Sequence, residues 1–236
     1  MDYKDVLRLI EEGEGFEVEF KRKVSTPEKI ARALSAFANT KGGYVLFGVD
    51  DDGSIIGVES EKSEVDLIQH AGSHLCFPEV EPLIDIVPFN GKDVIVAYVP
   101  ESDNKPHYYT GESNGNGNGN GNGHGNGSGH AEDGTRVYIR VNDKTVMASR
   151  EVVKILRDER PDAPPLRFEM GENEKRLFRY LDQNERITTR EFSRLVNISE
   201  RRAMRILVSL VRAGVMRIHT LEKCDFFTMA YDVSRA

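Results

Sequence analysis

The chain has 236 residues, enough for two small domains that each bury a core. Its 39% hydrophobic and 30% charged residues are ordinary for a globular protein and exclude disorder of the whole chain. A net charge of −7 would argue against a nucleic-acid partner only if the charge were evenly spread. It is not, because residues 172–236 carry 13 Lys and Arg against 9 Asp and Glu, a balance of +4, which leaves −11 for residues 1–171.

Two features predict a soluble protein of the cytoplasm. Cys76 and Cys224 have no second cysteine or histidine at metal-ligand spacing, so we expect free thiols in a reducing compartment. Residues 1–12 contain no continuous apolar run of the signal-peptide type, and no stretch approaches the roughly 20 apolar residues of a membrane span.

The first elements are predicted from apolar periodicity. Residues 2–12 have apolar side chains at helical spacing and stop at Gly13. The next segment alternates apolar and acidic residues, which predicts a strand with Phe16, Val18 and Phe20 inward and the glutamates between them on the opposite face.

A second helix and a hairpin are predicted next. Thr26 followed by Pro27 begins a helix that should end near Asn39. Residues 44–49 are typical of a strand buried on both faces, and a turn should return the chain as a hairpin strand over residues 55–58.

The remaining elements of the first domain follow the same periodicities. We expect a helix, two strands joined by Asn90-Gly91, another strand and a last helix, over residues 64–75, 83–89, 94–99, 137–141 and 149–157. This order predicts an α+β or mixed α/β domain over residues 1–160, and we expect the α+β class with a mixed sheet.

Two segments are predicted to lie outside the packed elements. Residues 113–130 contain the alternating Asn and Gly tract, which cannot bury apolar surface and should form a flexible loop. His107, His124 and His130 flank or lie in this tract, but a mobile tether offers no preorganised metal geometry. Residues 161–170 are proline-rich and mark the domain boundary.

Residues 171–236 are predicted to form a small winged helix-turn-helix domain. Three helices are expected, followed by two strands connected by a short turn, over residues 172–182, 188–196, 199–212, 215–218 and 226–229. In the third helix, four arginines lie off the inward apolar stripe: Arg201, Arg202, Arg205 and Arg212. This pattern favours a DNA recognition helix, and the alternatives are a solvated amphipathic helix or a dimerisation module.

Several ordered segments give the N-terminal half a resemblance to a known family. They are Glu14 to Lys21, Ala36 to Gly43, Gly48 to Gly53, Lys105 to Tyr108, and Tyr138 to Val141 followed by Ala148-Ser149-Arg150. Together they resemble the Schlafen-type AlbA-like domain found in many bacterial transcriptional regulators. The Asn and Gly tract interrupts the pattern, and Asn142-Asp143-Lys144 stands where the family more often has a Gly-Ser pair.

The resemblance implies nucleic-acid binding, and it also implies an enzymatic alternative. Some Schlafen members use three acidic residues in a metal-dependent nuclease, and by position these would be Glu14, Glu19 and Asp50, or Asp51 in place of Asp50. As a nuclease the chain would need Mg²⁺ or Mn²⁺ on these carboxylates, and otherwise no cofactor is expected. A third implication is nucleotide hydrolysis at Gly42-Gly43, although the phosphate-binding Gly-x4-Gly-Lys-Ser/Thr sequence is absent.

The leading hypothesis is a DNA-binding transcriptional regulator, expected to be a homodimer on duplex DNA. Whether the chain is an enzyme stays open, with a nuclease acting on RNA or single-stranded DNA as the alternative and a protein-interaction module as a third class. The predicted nucleic-acid contacts are Lys21, Arg22, Lys23, Arg140 and Lys144 in the first domain and Arg201, Arg202 and Arg205 in the second.

Overall fold

The computed structural model describes residues 1–24, 26–111, 136–158, 170–221 and 224–230. The chain divides into two compact units, Met1–Ala148 and Ser149–Ala236. The predicted flexible loop, residues 113–130, and all but the last residue of the predicted linker lie outside the described residues. In the part of the chain that is described, no helix is long and apolar enough to cross a membrane.

The N-terminal unit combines helices with short strands. In its described residues the elements are, in chain order, α1 (Tyr3–Glu12), β1 (Val18–Lys21), α2 (Pro27–Ala38), β2 (Gly42–Phe47), α3 (Glu61–His74), β3 (Cys76–Phe77), β4 (Leu83–Phe89), β5 (Lys92–Pro100), β6 (Tyr108–Tyr109), β7 (Arg136–Val141) and β8 (Lys144–Met147).

The strands form two four-stranded sheets. The first sheet has the order β1-β2-β5-β4, in which β1 runs parallel to β2 and the other pairs are antiparallel. The second sheet, β3-β6-β7-β8, is antiparallel throughout. The predicted α+β class with a mixed sheet is therefore confirmed for this unit.

Apolar side chains pack on both faces of the first sheet. Leu34 and Phe37 of α2 and Ile68 of α3 belong to one buried cluster, together with inward residues of β2 and β5. Val6 of α1 belongs to a second cluster with Phe20 and neighbouring strand residues. The burial of β2 on both faces explains why its sequence is a nearly continuous apolar run.

The predicted hairpin strand at residues 55–58 is wrong. Only one bridge forms there, between Val49 and Ile55. The reason is that β2 already pairs with β1 on one edge and β5 on the other, so no edge of β2 is left for a third partner. The chain instead approaches β5, where the amide of Val58 donates to the carbonyl of Asp93 at 2.8 Å.

The C-terminal unit begins with a helix that the sequence placed in the first domain. Its described elements are α4 (Arg150–Asp158), α5 (Glu172–Leu181), α6 (Thr189–Val196), α7 (Glu200–Arg212), β9 (Met216–Thr220) and β10 (Asp225–Met229), with β9 and β10 forming an antiparallel hairpin. Because α4 packs on α7, the boundary lies at Ala148 and not near residue 160. The three helices and hairpin expected from residue 172 onward are present.

One hydrophobic core joins α5, α6, α7 and the β9–β10 hairpin. Leu177, Phe192, Leu207 and Phe227, one each from α5, α6, α7 and β10, are completely buried in it. The hydroxyl of Ser149, which precedes α4, donates to the carboxylate of Asp225 at the start of β10. Burial raises the pKa of Asp225, and the Ser149 hydrogen bond opposes that rise.

A substitution at Gly43 tests how closely the start of β2 approaches Glu17, just before β1, and Phe37 of α2. Its φ is +150°, and a Cβ there would lie 2.4 Å from the carbonyl oxygen of Glu17 and 2.6 Å from the ring of Phe37. We expect Gly43→Ala to lower the free energy of unfolding by about 2 kcal/mol or more. Gly15→Ala is the control, since its methyl group would meet nothing within 4 Å, and it should change stability by less than about 0.5 kcal/mol. Urea denaturation followed by circular dichroism measures both; equal stability of the two variants would contradict this account.

Candidate nucleic-acid interface

The guanidinium of Arg140 is buried in the N-terminal unit and pairs with a buried carboxylate, that of Glu19. Arg140 of β7 is only 2% exposed, and Glu19 of β1 is 8% exposed. One terminal nitrogen of Arg140 donates to the carboxylate of Glu19 and to the hydroxyl of Thr145, the latter at 3.1 Å. The other donates to the carbonyl of Gly15 at 2.8 Å. The guanidinium carbon lies 4.7 Å from the centre of the Phe37 ring.

Two predictions from the sequence are corrected here. Arg140 was predicted to contact phosphate, but it is enclosed in the unit and paired with Glu19. The strand pattern was predicted to turn Phe16 inward and the glutamates outward, whereas Phe16 is 36% exposed and Glu19 is buried. The reason is electrostatic: a buried guanidinium needs a carboxylate partner, and Glu19 supplies it. Burial lowers the pKa of Arg140, and nearby Glu19 and Glu14 raise it.

Of the three predicted catalytic carboxylates, Glu14 and Glu19 both lie near the Arg140 guanidinium, whereas Asp50 pairs with Arg22. Glu14 accepts a hydrogen bond from the amide of Phe20 at 2.8 Å, so it closes the loop before β1. Asp50 pairs with Arg22 at 3.1 Å, and Glu19 pairs with Arg140. Among the described residues, no group of three or more His, Cys, Asp or Glu side chains could hold a metal ion. Each carboxylate thus has a contact that serves the fold.

Asn39 joins three of the recognised segments. Its side-chain amide donates to the carbonyls of His107 and Tyr138, both at 2.9 Å, and its oxygen accepts from the amide of His107 at 2.7 Å. Asn39 is 1% exposed, and all three partners are backbone groups. The residue therefore fixes the end of α2 against the strands of the second sheet.

His107 is also used within the fold. Its Nδ1 lies 2.7 Å from the carbonyl of Pro78, which can only accept, so Nδ1 carries the proton. Its Nε2 then accepts from the hydroxyl of Ser102 at 2.7 Å. Burial lowers the pKa of His107 and so favours this neutral form. Both ring nitrogens are engaged, which leaves neither for a metal ion.

The other predicted basic contacts of the N-terminal unit lie at its surface. The ammonium of Lys21 is 2.6 Å from Glu19, and Arg22 pairs with Asp50. Lys23 and Lys144 are exposed, the latter just after the β7–β8 turn. Lys21 and Arg22 are therefore partly neutralised by acids.

In the C-terminal unit, a short turn presents the N-terminal end of α7. Asn197 ends α6 in the left-handed conformation, with φ 56° and ψ 53°. Two residues later the side chain of Ser199 accepts from the amide of Arg202 and so caps α7. Asparagine tolerates the left-handed region better than most residues, so this sequence suits so tight a connection.

The first two turns of α7 carry the predicted recognition arginines. Arg201, Arg202 and Arg205 are exposed, while Ala203 and Leu207 are buried in the core of the unit. None of the three arginines forms an ion pair with another described residue. Three exposed arginines thus lie within five residues at the start of one helix.

The sequence interpretation missed one further cation, Lys154, which lies close to Arg201 and Arg205. Lys154 of α4 is half-buried where α4 packs on α7, and Arg212 of α7 pairs with Asp158 of α4 at 3.6 Å. Desolvation lowers the pKa of Lys154, Asp158 raises it, and Arg205, Arg212 and Arg201 lower it further. Placing α4 in the first domain hid this residue, although its helical spacing from Asp158 was readable.

The hairpin of β9 and β10 adds an aromatic and basic surface. The ring of Phe226 stacks on His219 with centroids 4.8 Å apart, and the guanidinium of Arg186 lies 5.2 Å from the same ring. His219 also hydrogen-bonds Thr228 through Nε2 at 2.9 Å. These contacts brace the two strands of the hairpin.

A family model described as "Schlafen, AlbA_2" matches residues 14–149, more than half of the chain. The chain belongs to the Schlafen AlbA_2 family. The match covers the segments that meet at Arg140 and Asn39, and family membership suggests nucleic-acid binding. It ends at Ser149, where the C-terminal unit begins.

Two solved structures are also similar to this AlbA_2 chain. One is the N-terminal domain of an ATP-dependent DNA helicase RecG-related protein from Nitrosomonas europaea, with 24% identity and a TM-score of 0.40 over 54% of this chain and 97% of that chain. The other is the DIP2311 protein from Corynebacterium diphtheriae, with 19% identity and a TM-score of 0.40 over 64% of this chain and 25% of that chain. The chain thus spans about a quarter of the DIP2311 structure.

The structural role of the ion pair between Glu19 and Arg140 can be tested by measuring the free energy of unfolding. Glu19→Gln leaves the buried guanidinium without its counter-charge, and we expect a loss of about 3 kcal/mol in the free energy of unfolding. Glu17→Gln is the matched control, because Glu17 lies two residues before Glu19 and is exposed. This substitution should change the free energy of unfolding by less than about 0.5 kcal/mol. Urea denaturation measures both. A fully stable Glu19→Gln variant would show that the pair is not structural.

Proposed function

We propose that the protein is a transcriptional regulator that binds duplex DNA through its C-terminal unit, acting as a winged helix-turn-helix. The observation that carries this proposal is the exposed set Arg201, Arg202 and Arg205 at the start of α7, directly after a short turn from α6. In helix-turn-helix proteins the N-terminal residues of the second helix reach the base edges of the major groove. Guanidinium groups at these positions can bind guanine edges or phosphates with two hydrogen bonds.

The position of these arginines favours a ligand over a solvated helix face. The N-terminal end of a helix carries partial positive charge, so cations in its first turns reduce stability. Glu200 is the acid of the first turn of α7, and three arginines follow within the next five residues. Lys154 adds a partly desolvated charge nearby. A phosphate backbone would relieve this repulsion, which supports an anionic partner.

The packing of α4 supports the same orientation of α7. The two helices are in contact, and Arg212 of α7 pairs with Asp158 of α4. Arg201, Arg202 and Arg205 stay exposed on α7 in the presence of this contact. The hairpin of β9 and β10, with exposed Arg217 and His219, would serve as the wing beside it.

The N-terminal unit would bind a second stretch of nucleic acid or a ligand. We propose that Lys21, Arg22, Lys23 and Lys144 contact phosphate there; Lys21 and Arg22 also pair with Glu19 and Asp50. The expected state on DNA is a homodimer, since symmetric operators match two-fold proteins. The alternative is a metal-dependent nuclease with Glu14, Glu19 and Asp50 as its acids; the ion pairs of Glu19 with Arg140 and of Asp50 with Arg22 do not favour it.

Replacing the three arginines of α7 tests the proposal. Arg201→Ala, Arg202→Ala and Arg205→Ala together should weaken binding to duplex DNA at least 100-fold, at roughly 1 kcal/mol per contact. The slope of log K against log salt concentration should fall by about three. Fluorescence anisotropy across a salt series, first with random and then with selected duplexes, measures both quantities.

A matched control removes the same charge elsewhere. Lys4→Ala, Arg8→Ala and Lys62→Ala change three exposed helical cations of the N-terminal unit, and DNA affinity should stay within about twofold. If both triple variants lost the same DNA affinity, the loss would be explained by net charge and not by the position of the arginines on α7. Unchanged binding in the α7 variant would exclude this helix as the DNA contact.

A substitution of Lys154 distinguishes a DNA contact from a structural role of this residue. Lys154→Gln should weaken duplex binding for all sequences and lower the salt slope by about one. Stability should not fall, because the substitution removes a desolvated ammonium beside three guanidinium groups. Lys175→Gln on α5 is the control and should leave affinity unchanged. A destabilised Lys154→Gln variant with unchanged affinity would contradict this assignment.

A further inference from the structure

The exposed side of α3 carries two histidines one helical turn apart. His70 and His74 are both exposed, and their ring centroids are 4.5 Å apart with an angle of 25° between the planes. The opposite side of α3 buries Ile68 and Ala71 in the core of the N-terminal unit. The histidine pair is therefore not required for packing, and it lies outside the contacts assigned above to nucleic acid.

The hydrogen bonds of Ser73 determine which nitrogen of His74 can act as a ligand. The hydroxyl of Ser73 donates to the carbonyl of Gln69 at 2.9 Å, and the same oxygen lies 2.7 Å from Nδ1 of His74. With the hydroxyl proton directed at Gln69, the Ser73 oxygen accepts from Nδ1 of His74. In this tautomer the proton of His74 is on Nδ1, and the lone pair of Nε2 is available to a metal ion. A ligating imidazole needs this kind of partner on its other nitrogen.

We propose that His70 and His74 form a chelating site for a divalent transition-metal ion of the zinc, nickel or copper class, with water completing its coordination. Histidines at positions i and i+4 of a helix lie on one face and can bind the same ion. Imidazole ligands favour zinc, copper and nickel, whereas Mg²⁺ and Ca²⁺ prefer oxygen.

The place of the pair on the helix adds a second favourable interaction. His74 is in the last turn of α3, where the unpaired carbonyl groups give the helix end partial negative charge. A cation bound there is stabilised by this charge. The ion would also connect two successive turns at the end of α3, directly before Leu75 and β3. Binding should therefore stabilise the N-terminal unit against heat.

The experiment titrates Zn²⁺ and Ni²⁺ into the full-length, untagged protein by calorimetry. A Cys224→Ser background removes the exposed thiol, which could bind metal independently. The test variant is His70→Gln with His74→Gln, since glutamine preserves the helix. The matched control is His124→Gln with His130→Gln, which removes the two histidines of the Asn and Gly tract. Circular dichroism checks that all variants are folded.

The expected result is that the control binds like the parent, whereas the test variant binds at least about tenfold more weakly and loses the metal-induced rise in melting temperature. Ser73→Ala should also weaken binding by about tenfold, because it frees the His74 ring. Unchanged affinity in the test variant, loss of binding in the control variant, or absence of metal binding by the parent would each overturn the proposal. None of these outcomes depends on DNA binding.

Discussion

The N-terminal unit is organised around one buried charge. Arg140 can remain inside only because Glu19 neutralises it, Gly15 and Thr145 accept its hydrogens, and Phe37 covers its face. These partners come from the segment before α2, from α2 itself and from the β7–β8 hairpin. Breaking one partner would leave an uncompensated charge, so the contacts depend on each other. At the C-terminal end of α2, the buried side chain of Asn39 hydrogen-bonds the backbone of His107 and Tyr138 and so also joins distant segments.

The two units use arginine in opposite ways. In the N-terminal unit the guanidinium of Arg140 is enclosed and its charge is balanced. In the C-terminal unit Arg201, Arg202 and Arg205 are exposed at the helix end where cations are least favourable. A balanced, buried charge specifies a fold, whereas unbalanced, exposed charges favour a partner. This contrast is why the proposed DNA contact lies in the smaller unit, although the recognised family segments lie in the larger one.

Local patterns predicted most of the elements, and tertiary pairing decided the rest. The helices and the Asn90-Gly91 hairpin follow from periodicity, caps and turn residues, and Asn90 and Gly91 indeed have positive φ values. Residues 55–58 fit a strand locally but find no free edge of β2. The burial of Glu19 also could not be read from alternation, because it depends on Arg140, 121 positions away. The partners of Glu19 and Asp50, two of the predicted catalytic acids, also could not be read from the sequence, because Arg140 and Arg22 are distant from them along the chain.

Because α4 belongs to the C-terminal unit, that unit is longer than the three helices and hairpin expected from the sequence. A recombination event or a cloned fragment that began in the proline-rich segment would deliver α5 to β10 without the helix that packs on α7. Arg212 would then lose its pairing with Asp158. The compact unit starts at Ser149. A fragment intended to retain the contact between α4 and α7 must therefore include the proline-rich segment, which lies between α4 and α5 in the sequence.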